Sequence, residues 1–149
     1  MAKAEKKAEA IWQGNLIQGH GEIVSVGSGV IGALPITWVA RTEGPAGKTS
    51  PEELLAAAHA SCYAMAFSHT LAQAGTPAEQ VTVKATCAFE QVSGKFKVTT
   101  MDLDVSGNVP GLDQAGFEKA AQQAEQGCPI SNALRGNVQI SLKAHLENL

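Results

Sequence analysis

A long stretch without a charged side chain, residues 54–73, most constrains how this chain can fold. Pro51 and two glutamates stand at its start, and Gly75 and Pro77 follow it, as is typical of the two ends of a helix. A helix of about 24 residues is roughly 36 Å long. Because its interior carries no charge, we expect it to be buried nearly all round. A chain of 149 residues can hardly cover it alone, so we expect a homodimer to complete the cover.

The same stretch is the most membrane-like part of the chain. It is rich in alanine and contains two histidines, two serines, a threonine and a glutamine. Alanine is too weakly hydrophobic to drive insertion, which favours a buried helix over a membrane span. The first ten residues lack the apolar run of a signal peptide, so we expect a cytoplasmic protein. Thiols are kept reduced in that compartment, and three cysteines therefore do not indicate a structural disulfide framework.

The charge balance argues against nucleic acid as a partner. The net charge is −3, the isoelectric point is about 5.8, and the eleven basic residues are scattered along the chain. Phosphate backbones are bound by clustered Lys and Arg side chains.

The pattern of elements predicts an α+β fold in a single domain, 1–149, with a flexible segment over about residues 1–7. The order is three strands, the long helix, two strands, two helices and a final strand, and we expect antiparallel sheets. Leu34, Ile36, Trp38 and Ala40 alternate along the third predicted strand, which ends at Arg41. A shift in the apolar alternation predicts a β-bulge near Thr99 or Thr100.

The three cysteines lie in different settings. Cys87 falls on the apolar face of an alternating strand, where it is predicted to pack as a small hydrophobe. Cys62 lies within the long helix and, taken alone, is also best interpreted as a packing residue. Cys128 precedes Pro129 at the predicted start of a short helix, where backbone N–H groups and the helix dipole favour a thiolate. Packing gives no reason for a cysteine there, and a Cys62–Cys128 pair would have the architecture of a peroxidatic and a resolving cysteine.

Two further features bear on the chemistry. A peroxidatic thiolate needs a fixed cation, and Arg41 is followed closely by "SPEE", whose carboxylates can hold a guanidinium group in bidentate fashion. His59 precedes Cys62 by one helical turn and is the candidate base of a cysteine hydrolase, although that spacing rarely aligns a nucleophile with its base. No second Cys/His pair has the spacing of metal ligands, so we expect no metal and no other cofactor.

These motifs resemble the OsmC/Ohr family of osmotically inducible and organic hydroperoxide resistance proteins. "SPEELLAAAHASCYAMAFS" and "GCPISNAL" carry the resemblance, which extends over nearly the whole chain and is closer to the OsmC branch. It implies an OsmC-like fold with a long central helix buried in an intertwined homodimer. It also implies that Cys62 is the peroxidatic cysteine, Cys128 the resolving cysteine, Arg41 the stabiliser of the thiolate and Glu52 the residue that orients Arg41.

The implied activity is the reduction of organic hydroperoxides to alcohols in oxidative and osmotic stress defence. Cys62 would form a sulfenic acid and then a disulfide with Cys128, and a dithiol reductant, of lipoyl type in the Ohr branch, would reduce that disulfide. Met65, Phe67 and Ile130 are the candidate contacts for an alkyl or aryl group. A non-catalytic protein that binds a small apolar molecule at the dimer interface stays open as the alternative.

Overall fold

The computed structural model describes residues 1–44 and 47–148. The chain divides into two compact units, Met1–Leu54 and Leu55–Leu149, and α2 begins in the first and continues through the second. Among the described residues, no helix is both long enough and apolar enough to cross a membrane.

The first unit is built on an antiparallel three-stranded sheet. Its strands are β1 (Ala8–Gln13), β2 (His20–Val26) and β3 (Leu34–Ile36), in that spatial order. The predicted strand up to Arg41 is wrong beyond Ile36, because Trp38–Thr42 form a short helix, α1. Thr37 causes the change: its side chain accepts a hydrogen bond from the N–H of Ala40 and caps the helix.

The predicted long helix is confirmed as α2 (Pro51–Gln73). Ser50 accepts a hydrogen bond from the N–H of Glu53 at its start, and Gly75 follows its end in a left-handed conformation, with φ of 85°. Within the chain the helix is buried along one face rather than all round. The buried residues recur at helical spacing, whereas the opposite face is uncharged and exposed at Ala58, Ser61, Met65, Ser68, His69 and Ala72.

The second unit contains a three-stranded sheet in the order β4 (Gln80–Val92), β5 (Lys95–Asn108), β6 (Gln139–Leu146). The predicted bulge is confirmed: Ala88 faces Thr100 and Phe89 faces Val98, which leaves Thr99 as the additional residue. The expected antiparallel pairing holds within the first sheet and between β4 and β5, whereas β6 runs parallel to β5. The two helices between them form the long crossover that parallel neighbours require.

Two helices connect β5 to β6. The helix α3 (Gln114–Gly127) is capped by the Asp113 side chain, and α4 (Pro129–Leu134) has its proline in the first turn. Cys128 is both the last cap of α3 and the first cap of α4. The start of α4 after Cys128 agrees with the sequence prediction, and the junction places Cys128 where two helix ends meet.

The core of the second unit lies between the buried face of α2, one face of β5, and α3. Phe67 is at its centre, with its ring 5.7 Å from that of Tyr63 and 5.0 Å from that of Phe117, centroid to centroid. All three rings are fully buried. The other buried hydrophobic residues of this core are Leu71, Met101, Leu103, Val105, Val109, Ala120, Ala121, Ala124, Cys128 and Val138.

We predict that Phe67→Ala lowers the free energy of unfolding by about 3–5 kcal/mol, because it leaves a cavity at the centre of the core. Urea denaturation followed by circular dichroism measures the loss. Phe96→Ala is the matched control: its ring is 52% exposed and stacks on that of Phe89, so its loss costs about 1 kcal/mol. Equal losses in the two variants would contradict the central place of Phe67.

Candidate functional site

Cys62 lies at the border of the buried face of α2. His59, one turn before it, and Tyr63, directly after it, are both fully buried, while Ser61 on the other side is exposed. Cys62 itself is half-buried. The orientation of α2 about its axis therefore leaves the Cys62 thiol partly packed against the core and partly exposed to solvent.

Cys128 brings the second thiol to the first. Its Sγ lies 3.4 Å from the Sγ of Cys62, and it is fully buried. A disulfide bond is about 2.05 Å long, so the two sulfurs are separate thiols here that need to approach by only about 1.4 Å to bond. Cys87 faces Met101 across the β4–β5 ladder and packs against the core, as predicted.

The first turn of α4 is directed at Cys62. The backbone N–H of Ile130 bonds to the Cys62 sulfur and favours its thiolate, but burial outweighs this bond and raises the pKa of Cys62, with Cys128 adding to the rise. The side chain of Cys128 makes no capping hydrogen bond. The N–H groups of this helix end therefore do not bond to the Cys128 side chain, and that of Ile130 is directed at the other thiol.

A buried polar contact lies beside the two thiols. His59 Nε2 is 2.7 Å from Ser131 Oγ, and both residues are fully buried. Burial lowers the pKa of His59, and the nearby Glu125 carboxylate opposes this. Because His59 directs Nε2 at Ser131 rather than at Cys62, the structure does not support His59 as the base of a cysteine hydrolase. Sequence reasoning missed Ser131, which stands one turn after Cys128 as His59 stands one turn before Cys62.

Arg41 and Glu52 form the ion pair expected from "SPEE". Arg41 Nη2 donates to Glu52 Oε1 at 2.7 Å, and Arg41 Nε donates to Oε1 at 3.0 Å and to Oε2 at 3.1 Å. The Glu52 carboxylate is buried, whereas Glu53 is exposed and accepts a hydrogen bond from Thr49. The guanidinium carbon of Arg41 also lies 5.9 Å from the centre of the Trp38 ring. These contacts hold the guanidinium group in one orientation.

An apolar cavity of about 200 Å³ adjoins Arg41 within the first unit. It is lined by Trp12, Leu16, Ile36, Thr37, Trp38, Arg41 and Pro51. Sequence reasoning did not single out this group. The available signal was that both tryptophans of the chain occur within the first forty residues, and aromatic side chains are common in binding pockets.

The three residues proposed to contact the substrate differ in their solvent exposure. Met65 is 69% exposed on the open face of α2, and Ile130 is half-buried beside Cys62. Phe67 has no exposed surface. Phe67 therefore offers no surface for a substrate to contact and is a core residue instead.

Residues 1–44 and 47–148 contain no group of three or more His, Cys, Asp or Glu side chains that could hold a metal ion. What the geometry does provide is a pair of thiols within reach of each other, one of them partly accessible, and an oriented arginine beside an apolar cavity. The pair of thiols can support thiol–disulfide chemistry.

Comparison with known proteins places these features in a family. A model of the OsmC-like protein family matches residues 44–143. Peroxiredoxin OsmC of Escherichia coli (strain K12) is 38% identical over 133 residues, which cover 89% of this chain and 92% of that protein. An organic hydroperoxide resistance protein of Xanthomonas axonopodis pv. citri (strain 306) is 35% identical over 96 residues, or 63% of this chain and 65% of that protein.

Solved structures share the fold. The crystal structure of an organic hydroperoxide resistance protein OsmC from Legionella pneumophila superposes with a TM-score of 0.71 at 28% identity, covering 95% of this chain and 98% of that one. The structure of OhrB from Bacillus subtilis, at 24% identity, gives a TM-score of 0.68 over 93% of this chain and 98% of that one, a likeness of fold. The sequence matches confirm the predicted family and its OsmC branch.

Proposed function

The chain belongs to the OsmC family, and we propose that it is a thiol-dependent peroxidase that reduces organic hydroperoxides in stress defence. Its relatives named peroxiredoxin OsmC and organic hydroperoxide resistance protein support a peroxidase of this type. The proposal for the mechanism rests on one observation above the others, the 3.4 Å approach of the Cys62 and Cys128 sulfurs.

In the first step the Cys62 thiolate attacks the distal oxygen of the hydroperoxide. The O–O bond breaks, the alkoxide leaves and takes a proton to become the alcohol, and Cys62 becomes a sulfenic acid. Cys62 is the candidate nucleophile because it is partly accessible, while Cys128 is fully buried.

The first step needs a cation at the Cys62 sulfur. Burial raises the pKa of Cys62, so the bond from the Ile130 N–H is not sufficient to keep a thiolate at neutral pH. In our proposal Arg41 supplies the positive charge and polarises the peroxide, as the family resemblance implies. Glu52 fixes the direction of the Arg41 guanidinium through their three hydrogen bonds.

The cavity beside Arg41 suggests the class of substrate. Its walls are mostly apolar and include both tryptophans, which suits the alkyl or aryl group of an organic hydroperoxide better than hydrogen peroxide. Met65 and Ile130 remain candidates for contact with the same group. A protein that only binds a small apolar molecule would use this cavity as well, and the reactivity of the thiols distinguishes the two.

In the second step the Cys62 sulfenic acid condenses with the Cys128 thiol. An S–S bond forms and water leaves. A dithiol reductant then attacks the disulfide and is itself oxidised to a disulfide. Because Cys128 is fully buried within the chain and a partner can only add cover, the reductant would reach the Cys62 sulfur, and Cys128 would leave as the thiol.

The exposed face of α2 supports the proposal of a homodimer. That face presents alanines, Ser61, Met65, Ser68 and His69 to solvent but no Asp, Glu, Lys or Arg. A helix face without charge is typical of a surface that another protein surface covers.

We predict that the cysteine variants fail at different steps. Cys62→Ser consumes no cumene hydroperoxide even in a single turnover, because the nucleophile is absent. Cys128→Ser consumes about one equivalent per chain and stops at a sulfenic acid, which dimedone traps and intact mass detects. The parent loses two free thiols per chain.

Cys87→Ser is the matched control and reacts like the parent, since Cys87 packs against the core. The roles are exchanged if Cys128→Ser is inert and Cys62→Ser still reacts once. A chain whose thiols all survive an equimolar hydroperoxide titration is no peroxidase, and the binding protein is then the better interpretation.

We predict that Glu52→Gln slows the reaction of Cys62 with hydroperoxide by about tenfold, because the charge that orients Arg41 is lost. Arg41→Ala slows it by more than about tenfold and raises the pKa of Cys62, measured from iodoacetamide alkylation rates against pH. Glu53→Gln, one residue along the same helix but exposed, leaves both quantities unchanged. Equal rates in Glu52→Gln and Glu53→Gln would remove the ion pair from the reaction.

We predict that light scattering at micromolar concentration gives twice the chain mass of 15.4 kDa. Met65→Glu places a charge on the exposed face of α2 and shifts the particle toward the monomer. Gln122→Glu adds the same charge to the exposed side of α3 and has no such effect. A parent that scatters as a single chain would defeat the dimer.

A further inference from the structure

Two fully buried polar side chains join α2 to α4, where an apolar pair would fill the space at lower cost. His59 and Ser131 are both completely inaccessible, and Nε2 of the imidazole lies 2.7 Å from the Oγ of the serine. Burying polar groups is unfavourable unless they are hydrogen-bonded to each other. Neither His59 nor Ser131 takes part in the first step of the proposed reaction, so another role has to explain why this polar pair is buried here.

The pair stands in a regular relation to the two thiols. His59 precedes Cys62 by three residues on α2, and Ser131 follows Cys128 by three residues at the other end of the contact. The two segments therefore meet in antiparallel fashion through two side-chain contacts one turn apart: imidazole to hydroxyl at 2.7 Å, and thiol to thiol at 3.4 Å. Because both contacts join the same two segments, a constraint on the His59–Ser131 distance also constrains the distance between the Cys62 and Cys128 sulfurs.

The protonation of His59 suits a fixed contact. Its Nδ1 is buried and has no hydrogen-bond partner among the described residues. A buried N–H without a partner is rarer than a buried acceptor without one. The ring proton therefore belongs on Nε2, from which it is donated to Ser131 Oγ, and the imidazole is neutral, in agreement with its lowered pKa.

Apart from that of Ser131, the side-chain hydrogen bonds described for α4 run to α3 or stay at the end of α4, and none of them reaches α2. The helix has only six residues. At its far end Arg135 pairs with the buried Glu125 of α3, with Nη2 2.9 Å from Oε1, so this contact ties α4 to α3 and not to α2. The N–H of Ile130 contacts the Cys62 sulfur, but that atom is the one that reacts. The contact of His59 with Ser131 involves no reacting atom and can persist while Cys62 is oxidised.

We propose that His59 and Ser131 are positioning residues for disulfide formation, holding the Cys128 thiol against the Cys62 sulfur. In this step the Cys62 sulfenic acid and the Cys128 thiol form an S–S bond and release water. Excess hydroperoxide competes for the same sulfenic acid and oxidises it to the sulfinic acid. By favouring disulfide formation, the pair lowers the fraction of Cys62 that is oxidised further to the sulfinic acid. This inference rests on the proposed peroxidase activity.

The experiment measures the ratio of sulfinic acid to disulfide by intact mass after a pulse of excess cumene hydroperoxide. Ser131→Ala removes the acceptor and raises this ratio about fivefold, the effect of losing one hydrogen bond of ordinary strength. His59→Leu raises it similarly. His59→Gln retains an N–H donor near the position of Nε2 and stays within about twofold of the parent. All three variants still consume the first peroxide equivalent, because the Cys62 nucleophile is present in each.

Tyr63→Phe is the matched control for stability. Tyr63 is fully buried on the same helix and donates a hydrogen bond at 2.8 Å to the carbonyl of Ala121, which lies on α3. The variant loses a buried hydrogen bond of α2 without touching the link to α4, so its ratio equals that of the parent while its melting temperature falls. A ratio that rises equally in Tyr63→Phe and Ser131→Ala, or in neither, overturns the proposal. So does His59→Gln behaving like His59→Leu.

A second measurement separates this inference from the peroxidase itself. The equilibrium between the dithiol and the Cys62–Cys128 disulfide is measured in glutathione redox buffers, which need no hydroperoxide. Ser131→Ala lowers the equilibrium constant for disulfide formation about fivefold, and Tyr63→Phe leaves it unchanged. This result supports the positioning role even if the parent does not react with hydroperoxides, whereas equal constants in all variants refute it.

Discussion

The chemistry of this protein depends on the orientation of α2 about its own axis, which determines the side chains that face the core. One face of the helix is buried by Tyr63, Phe67 and Leu71, whose side chains lock into the core of the second unit. That packing leaves Cys62 at the border of the buried face, half covered. A rotation by one residue would bury the thiol or point it away from Cys128. The aromatic core is thus a condition for the 3.4 Å approach of the two sulfurs.

Burial affects the reactivity of the two thiols in different ways. For Cys62 it raises the pKa, which makes a cation necessary for reactivity at neutral pH. For Cys128 it prevents contact with solvent, so that the reactions open to this thiol are those with its neighbour Cys62. An exposed second thiol would exchange with any small thiol or disulfide in solution. The arrangement favours one intrachain disulfide over many mixed ones.

The ends of α2, the junction at Cys128 and the bulge at Thr99 were all predicted, because local signals carry them: a serine before a proline, a proline after a cap, and a shift in alternation. The strand predicted through Arg41 is wrong because the apolar alternation of Leu34, Ile36 and Trp38 continues past Thr37, whose side chain caps a helix at that point. The direction of β6 was missed because pairing of distant strands leaves no local trace.

By itself the sequence determined the family, the α+β class, the helical setting of Cys62 and the pairing of Arg41 with Glu52. The α+β class and the helical setting of Cys62 follow from spacing along the chain and from the chemistry of each residue type. The family, and with it the choice of Glu52 rather than Glu53 as the partner of Arg41, follow from the resemblance that the two motifs carry. Only the tertiary structure decided that the N–H of Ile130 serves Cys62 rather than Cys128, that Phe67 belongs to the core, and that His59 bonds to Ser131. The physical reason is that each of these contacts joins elements far apart in the chain, and their partners are selected by how α2, α3 and α4 pack.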